Sequence, residues 1–281
     1  MGLKRNLFNT ATRCFAACLN VFGRRTRNGI LAALSETLTP VLTQSTIHGD
    51  ISFFCPGVIP EWRARTLLSK EPETIAWIDA FSPTDVLWDI GANVGSYSLY
   101  AALLNTRVLA FEPSPGNYYI LMRNIEVNGM HDLISSYCIA LCDETRLAEF
   151  HMSNTLIGAA YSSFGEALDP HGKEFTASYR QAMVGYTIDE FVASFAPPFP
   201  NHLKIDVDGI EDRVIEGARE TLSDKRVRSV LVELDESREN HSETVRILRN
   251  AGLQMREKSH PPEFDNSAFA DQYNFIFSRE G

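Results

Sequence analysis

Two short stretches of this 281-residue chain hold side chains whose types and spacing could do chemistry. In "VLWDIGANVGSY" (86–97) an apolar run ends on Asp89 and then turns at Gly91 and Gly95, a G-x-x-x-G pattern. In "LKIDVDGIE" (203–211) Lys204, Asp206 and Asp208 alternate with apolar residues, and Glu211 follows. The first pattern suits ligand binding at a strand-to-helix turn, the second proton transfer or charge stabilisation.

The glycine turn differs from the dinucleotide fingerprint in one place. A pyrophosphate needs a middle glycine so that backbone can approach it, and Asn93 stands there instead. Asp89 would repel a phosphate and attract an ammonium or a sulfonium. Glu112 ends "VLAFEP" about twenty residues on, where an acid accepts hydrogen bonds from both hydroxyls of a ribose. One ligand joins an aminocarboxylate, a sulfonium, a ribose and an adenine without phosphate, and that ligand, S-adenosylmethionine, is the expected cofactor. An NAD-dependent oxidoreductase would share such a fold, but this chain lacks the middle glycine and any hydride-transfer constellation. A non-catalytic donor-binding module would have no use for the charged "KIDVD". Both remain alternatives, separable by titration with the donor and with NAD.

These residues need a scaffold. "EPETIAWIDAF" has near-helical spacing and opens at Pro72, which a first helical turn tolerates, and "DVLWDIG" reads as a buried strand. The grammar repeats through strand "RVLAFEP", helix "PGNYYILMRNIEVNG", strands "ISSYCIALCD" and "HLKIDVDG", helix "IEDRVIEGARETL" and strand "VRSVLVELD". The final "QYNFIFSRE" alternates as an antiparallel strand would. Strands alternating with helices predict a doubly wound, mostly parallel Rossmann-like α/β sheet. Ligands of such sheets lie beyond the carboxyl ends of the strands. Residues 51–281 read as one catalytic domain with an insertion or hairpin at about 145–200, and residues 1–50 as a helical arm.

An inner parallel strand is normally apolar on both faces, so the charges of "LKIDVDGIE" need a reason. Alternation places Lys204, Asp206 and Asp208 on one face. An alcohol must lose its proton as it is methylated, to a carboxylate base or with a metal's help. Asp206 is the first expected substrate or donor contact, Asp208 the second, and Glu233, at the end of "VLVELD", the third. Glu211 opens a helix, where the dipole favours an acid. The histidines His151, His171, His202, His241 and His260 form no ligand set and read as surface or loop residues.

A net charge of −10 argues against a nucleic-acid partner. Five cysteines with no C-x-x-C pair fit neither a disulfide framework nor a thiolate metal site, and a reducing cytosol is the simplest compartment. The first 34 residues carry Lys4, Arg5, Arg13, Arg24, Arg25 and Arg27 and no acid, which leaves −16 for the rest. Phe8, Ala11, Phe15, Cys18 and Phe22 recur at helical spacing. A basic amphipathic helix follows, packed on the domain or lying on an anionic membrane; a transit peptide is a third reading. "CFAACLNVF" is far too short to span a bilayer.

The chain resembles the FkbM-type methyltransferases, which are class I, Rossmann-like and dependent on S-adenosylmethionine. "KEPETIAWID", "LWDIGANVGSYSLYAA", "AFEPSPGNYYILMRNIEVN", "IALCDE", "YSSFGE", "YTIDEF", "LKIDVDGIEDRVIEGA" and "LVELDE" carry the resemblance, in the family's order, over about residues 52–277. It implies methylation of a hydroxyl, of a sugar in a glycan or glycolipid or of another secondary metabolite. The absence of "[DN]-P-P-[YF]" after "LKID" agrees. By resemblance Asp89, Gly91, Asn93 and Gly95 line the methionine end of the donor, Glu112 the ribose, and Ala140 and Leu141 the adenine. The family more often has glutamate at Asp208 and histidine at Asp235, so this chain favours a carboxylate set, Asp206, Asp208 and Glu233, over a histidine base. Such a set leaves Mg²⁺ open without assigning a metal ligand.

Overall fold

The computed structural model describes residues 10, 13–261, 264, 265, 267 and 269–280. The chain divides into two units, Met1–Pro40 and Val41–Gly281.

In the first unit residues 13–18 are helical, Leu19–Val21 form a 3₁₀ turn, and Gly23 separates them from α1 (Arg24–Leu38). Among its described residues the arm is two helical pieces, parted at Gly23. It ends at Leu38, because Pro40 disfavours helical backbone at Thr39, which is extended. Arg13, Arg24, Arg25, Phe15 and Phe22 are exposed. Lys4, Arg5, Phe8 and Ala11 lie outside the described residues. No helix among the described residues is long and apolar enough to cross a membrane.

The second unit opens at Val41 rather than 51. Strands β1 (Val41–Thr46) and β2 (Gly49–Phe54) pair antiparallel and bury Ile51 and Phe53. Helices α2 (Val58–Arg65) and α3 (Pro72–Asp79) follow. Then come β3 (Val86–Ile90), α4 (Ser96–Leu103), β4 (Arg107–Phe111), α5 (Pro115–Val127) and β5 (Ile134–Tyr137). The rim holds β6 (Ala140–Leu141), β7 (Arg146–Met152), β8 (Ser162–Phe164) and β9 (Tyr179–Tyr186). The second half runs through α6 (Ile188–Phe195), β10 (His202–Ile205), α7 (Glu211–Glu216), α8 (Arg219–Ser223), β11 (Ser229–Asp235), α9 (His241–Asn250), β12 (Gln254–Ser259) and β13 (Gln272–Ser278).

Among the described residues seven strands form the central sheet in the order β12-β13-β11-β10-β3-β4-β5. β13 runs antiparallel to both its neighbours, and the other pairs are parallel. The fold is the expected α/β class. Both faces are covered: Trp88, Ile90, Phe111, Leu203 and Val232 pack on one side, and Leu87, Val108, Ala110 and Leu231 on the other. Strand order reverses between β3 and β10, so their carboxyl ends form the topological switch point where a crevice opens.

Local departures have local causes. "ISSYCIALCD" is two strands, since Cys138 and Ile139 cross from the central sheet to a four-stranded rim sheet, β6-β9-β7-β8. "IEDRVIEGARETL" is two helices, because Asp189 N–H takes the carbonyl of Gly217 and the Asp189 carboxylate accepts from Glu220 and Thr221 N–H, capping a new helix. His202 is not a surface residue. It is buried, stacked on Phe81 at 3.8 Å and hydrogen-bonded to Asp85 and Ser229, and burial pushes its pKa down to about 3.

Candidate active site

A cavity of about 280 Å³ opens at the switch point, lined by Asp89, Gly91, Asn93, Glu112, Ala140, Leu141, Asp206, Asp208 and Glu233. Gly95 is the one sequence-predicted site residue outside that lining. A Cβ there would lie 2.5 Å from Leu121 Cδ1, so Gly95 serves the packing of α4 against α5. At Gly91 a Cβ would lie 1.8 Å from the carbonyl oxygen of Asp206, and φ is +85°. Gly91 therefore lets β3 and β10 close on each other beneath the cavity, a need independent of any ligand.

Asp89 is 1% exposed; its Oδ2 accepts from Ser98 Oγ at 2.5 Å. Burial raises its pKa, against the pull of Lys204. Asn93, at φ +52°, donates its backbone N–H to Glu112 Oε2 at 2.7 Å, and its Nδ2 to the carbonyl of Ala159 at 3.1 Å. Glu112 Oε1 accepts from Ser114 N–H at 2.8 Å, and burial raises Glu112 to about 7. Asp89 Oδ1 and Asn93 Oδ1 are buried without a partner among the described residues. Orphaned buried acceptors are costly. Two of them flanking the glycine turn call for a ligand rich in N–H and O–H donors, such as an ammonium and ribose hydroxyls, and would repel the acceptor-only oxygens of a pyrophosphate. S-adenosylmethionine fits that donor set.

The charged segment differs from the expected shared strand face. β10 ends at Ile205, and Asp208 lies beyond it at φ +60°. The reason is Glu211, whose Oε1 accepts from Val207 and Gly209 N–H and draws the backbone into a turn; burial raises Glu211 to about 7. Lys204, 2% exposed, donates to Asp206 Oδ2 at 2.8 Å. Burial alone would lower Lys204, but Asp206, Glu71 and Asp89 reverse this and hold it protonated. Burial would likewise raise Asp206, yet Lys204 and Lys70 keep it an ionised carboxylate. Asp208 Oδ2 accepts from Tyr161 N–H at 2.7 Å, and burial, then Asp206, pushes it up to about 6. Burial and Asp206 raise Glu233 well above the ordinary range, which keeps it a neutral acid.

Several cavity residues escaped the sequence reading. Lys70 and Glu71 form an ion pair at the N-terminus of α3, Glu71 only 2% exposed. In "KEPETIAWID" nothing sets them apart from an ordinary charged pair before a helix. Residues 158–161 lie over the glycine turn: Arg63 Nε donates to the Gly158 carbonyl at 2.8 Å, Asn117 Oδ1 accepts from Gly158 N–H at 2.7 Å, and Ala159 and Tyr161 are held by Asn93 and Asp208. Residues picked for donor binding and catalysis thus also fasten a loop. His171, from the rim, donates or accepts at Nδ1 with Asp235 at 2.8 Å, so a histidine does reach the position where the strand itself carries Asp235.

Glu112→Gln provides a local test. Glutamine offers one acceptor oxygen where two backbone N–H groups need one each, so one loses its partner at a cost of about 1 kcal/mol or more. Isothermal titration should show donor affinity reduced about tenfold or more, with a lower melting temperature; unchanged affinity would take Glu112 off the donor site.

The sequence model of the methyltransferase FkbM domain matches residues 89–255. A hexuronic acid methyltransferase, AglP, of Haloferax volcanii is 27% identical over 217 residues, 75% of this chain and 80% of that protein. Among solved structures, precorrin-6y C5,15-methyltransferase from Geobacter metallireducens superposes with a TM-score of 0.45 at 15% identity, over 78% of this chain and 93% of that one. The methyltransferase domain of METTL16 does so with a TM-score of 0.47 at 14% identity, over 85% and 87%. With the family's domain spanning both the glycine turn and the charged segment, the chain belongs to the FkbM methyltransferase family and is an S-adenosylmethionine-dependent methyltransferase.

Proposed function

We propose that the protein methylates a hydroxyl of a sugar, in a glycan, a glycolipid or a secondary metabolite. The observation that carries this reading is the convergence of Asp206, Asp208 and Glu233 on a cavity whose rim presents Trp62 and Tyr161, 46% and 41% exposed. Aromatic faces suit a sugar ring, and the name of the Haloferax relative points to the same acceptor class. When bound, the donor supplies a methyl group on a sulfonium. Most of the acceleration then comes from holding acceptor and donor in line. Asp89 and Asn93 hold the ammonium end, Glu112 the ribose, and Ala140 and Leu141 the adenine. Asp206, ionised beside Lys204, orients the acceptor, Asp208 takes its proton, and Glu233 donates a hydrogen bond. Lys204 Nζ holds Asp206 and Tyr161 N–H holds Asp208; among the described residues no group of three or more His, Cys, Asp or Glu is arranged as a metal site. Arg13, Arg24 and Arg25 beside Phe15 and Phe22 suit an anionic membrane surface on which a glycolipid would be met.

The test is transfer of a labelled methyl group to glycan pools, with mass spectrometry before and after alkali. A methyl ether survives alkali. Label lost to alkali would be a carboxylate ester and would overturn the hydroxyl reading.

A pH profile tests the base. Asp208 must be ionised to accept a proton, and it titrates at about 6. The kcat/KM of the free enzyme should therefore fall about tenfold per pH unit below 6 and level off above it. An acid limb that persists unchanged in Asp208→Asn would assign it to another group.

A further inference from the structure

Arg63 is a cavity residue that the mechanism leaves unused. It stands on α2, is partly buried and lines the cavity beside Trp62. Its Nε–H is committed to the Gly158 carbonyl. Among the described residues its two terminal nitrogens have no protein acceptor and it forms no ion pair. Every other cation in this lining is matched: Lys70 pairs with Glu71, and Lys204 with Asp206.

A partly buried guanidinium whose idle donors line a cavity gains from an anionic ligand there. The committed Nε edge leaves the Nη1/Nη2 end, which presents two parallel N–H groups spaced for a planar carboxylate. Its field reaches Glu112 on the donor side and Asp206 and Asp208 on the transfer side, lowering each. Asp89, at the methionine end, feels Lys204 instead. Arg63 therefore sits where the acceptor meets the donor's ribose, and away from the place of the donor's own carboxylate.

We propose that Arg63 reads the acceptor by gripping a carboxylate on the sugar, so that the preferred acceptor is a uronic acid residue and not a neutral hexose. This rests on the sugar-hydroxyl reading above and adds the substrate class to it. The methyl group still goes to a hydroxyl, and the carboxylate serves only as the handle.

The test uses the full chain, S-adenosylmethionine, and methyl glycosides of gluco, galacto and manno configuration, each as the uronide and as the neutral hexoside. Wild type should prefer one uronide over its matched hexoside by about a hundredfold in kcat/KM. Arg63→Gln should erase that preference by lowering uronide turnover far more than hexoside turnover, and Arg63→Lys should restore it in part, keeping the charge without the fork. A merely structural role, through Gly158, would lower uronide and hexoside turnover alike, and that result overturns the proposal. So does a fall in donor affinity with acceptor preference intact, which would give Arg63 to the donor's carboxylate. Equal methylation of uronides and hexosides by wild type overturns the proposal and leaves sugar methylation standing. Methyl transfer to none of the six sugars, with transfer to a non-sugar hydroxyl, overturns both.

Discussion

Asp208→Asn is expected to lower kcat for methyl transfer about a thousandfold, the contribution of a positioned general base, while donor affinity changes little. The substitution is nearly isosteric, and the amide oxygen can still accept from Tyr161 N–H, the bond that ties Asp208 to the loop over the cavity. What disappears is the carboxylate at the transfer site that titrates at about 6. The neighbouring Asp206 cannot take over, because Lys204 and Lys70 hold it at low pKa and make it a poor proton acceptor. Glu233, already neutral, cannot either. Asp206→Asn makes an informative contrast. It also lowers turnover, yet it strips the buried Lys204 of its charge partner, so it should lower the melting temperature where Asp208→Asn does not. Unchanged turnover in Asp208→Asn, measured at saturating donor, would return the base to another residue.

The second large effect is structural. Gly91→Ala should cost more than about 3 kcal/mol of stability and abolish donor binding. A methyl group at Gly91 would overlap the Asp206 carbonyl oxygen at 1.8 Å, in a backbone conformation with φ +85° that alanine adopts only under strain. Relief would require β3 and β10 to part, and the hydrogen bond from Asp206 N–H to the Ile90 carbonyl holds them together at that level. Denaturant unfolding should show the midpoint lowered with an unchanged slope. Gly95→Ala meets a side chain, Leu121, which can move, and should cost less. Equal stability of Gly91→Ala and wild type would remove the close approach from the account.

The central sheet was legible because its inner strands are buried on both faces and read as short, mostly apolar runs, "VLWDI" and "SVLVELD" among them. The donor turn was legible because Asp89, the glycines and Glu112 lie within one strand-helix-strand unit. Edges were less so. β12, "QMREKS", pairs only with β13 and is almost wholly exposed, so it shows no apolar alternation. Asp208 was misplaced for a physical reason: alternation assumes that the strand continues, and the side chain of Glu211 ends it by gathering two backbone N–H groups. Lys70, Glu71 and Arg63 were invisible as site residues, since a charged pair before a helix looks the same whether water or Lys204 lies beyond it. Their surroundings are created by chain folded in from distant positions, 95 residues away for the Gly158 carbonyl that holds Arg63.

The crevice at the carboxyl ends of β3 and β10 is expected to hold a phosphate-free sulfonium donor. Isothermal titration of the full chain with S-adenosylmethionine, its demethylated product and NAD tests it directly. One-to-one binding of the first two, weakened in Glu112→Gln, with no heat from NAD, is the predicted result. Binding of NAD without binding of the sulfonium donor, or donor affinity indifferent to Glu112, would contradict it.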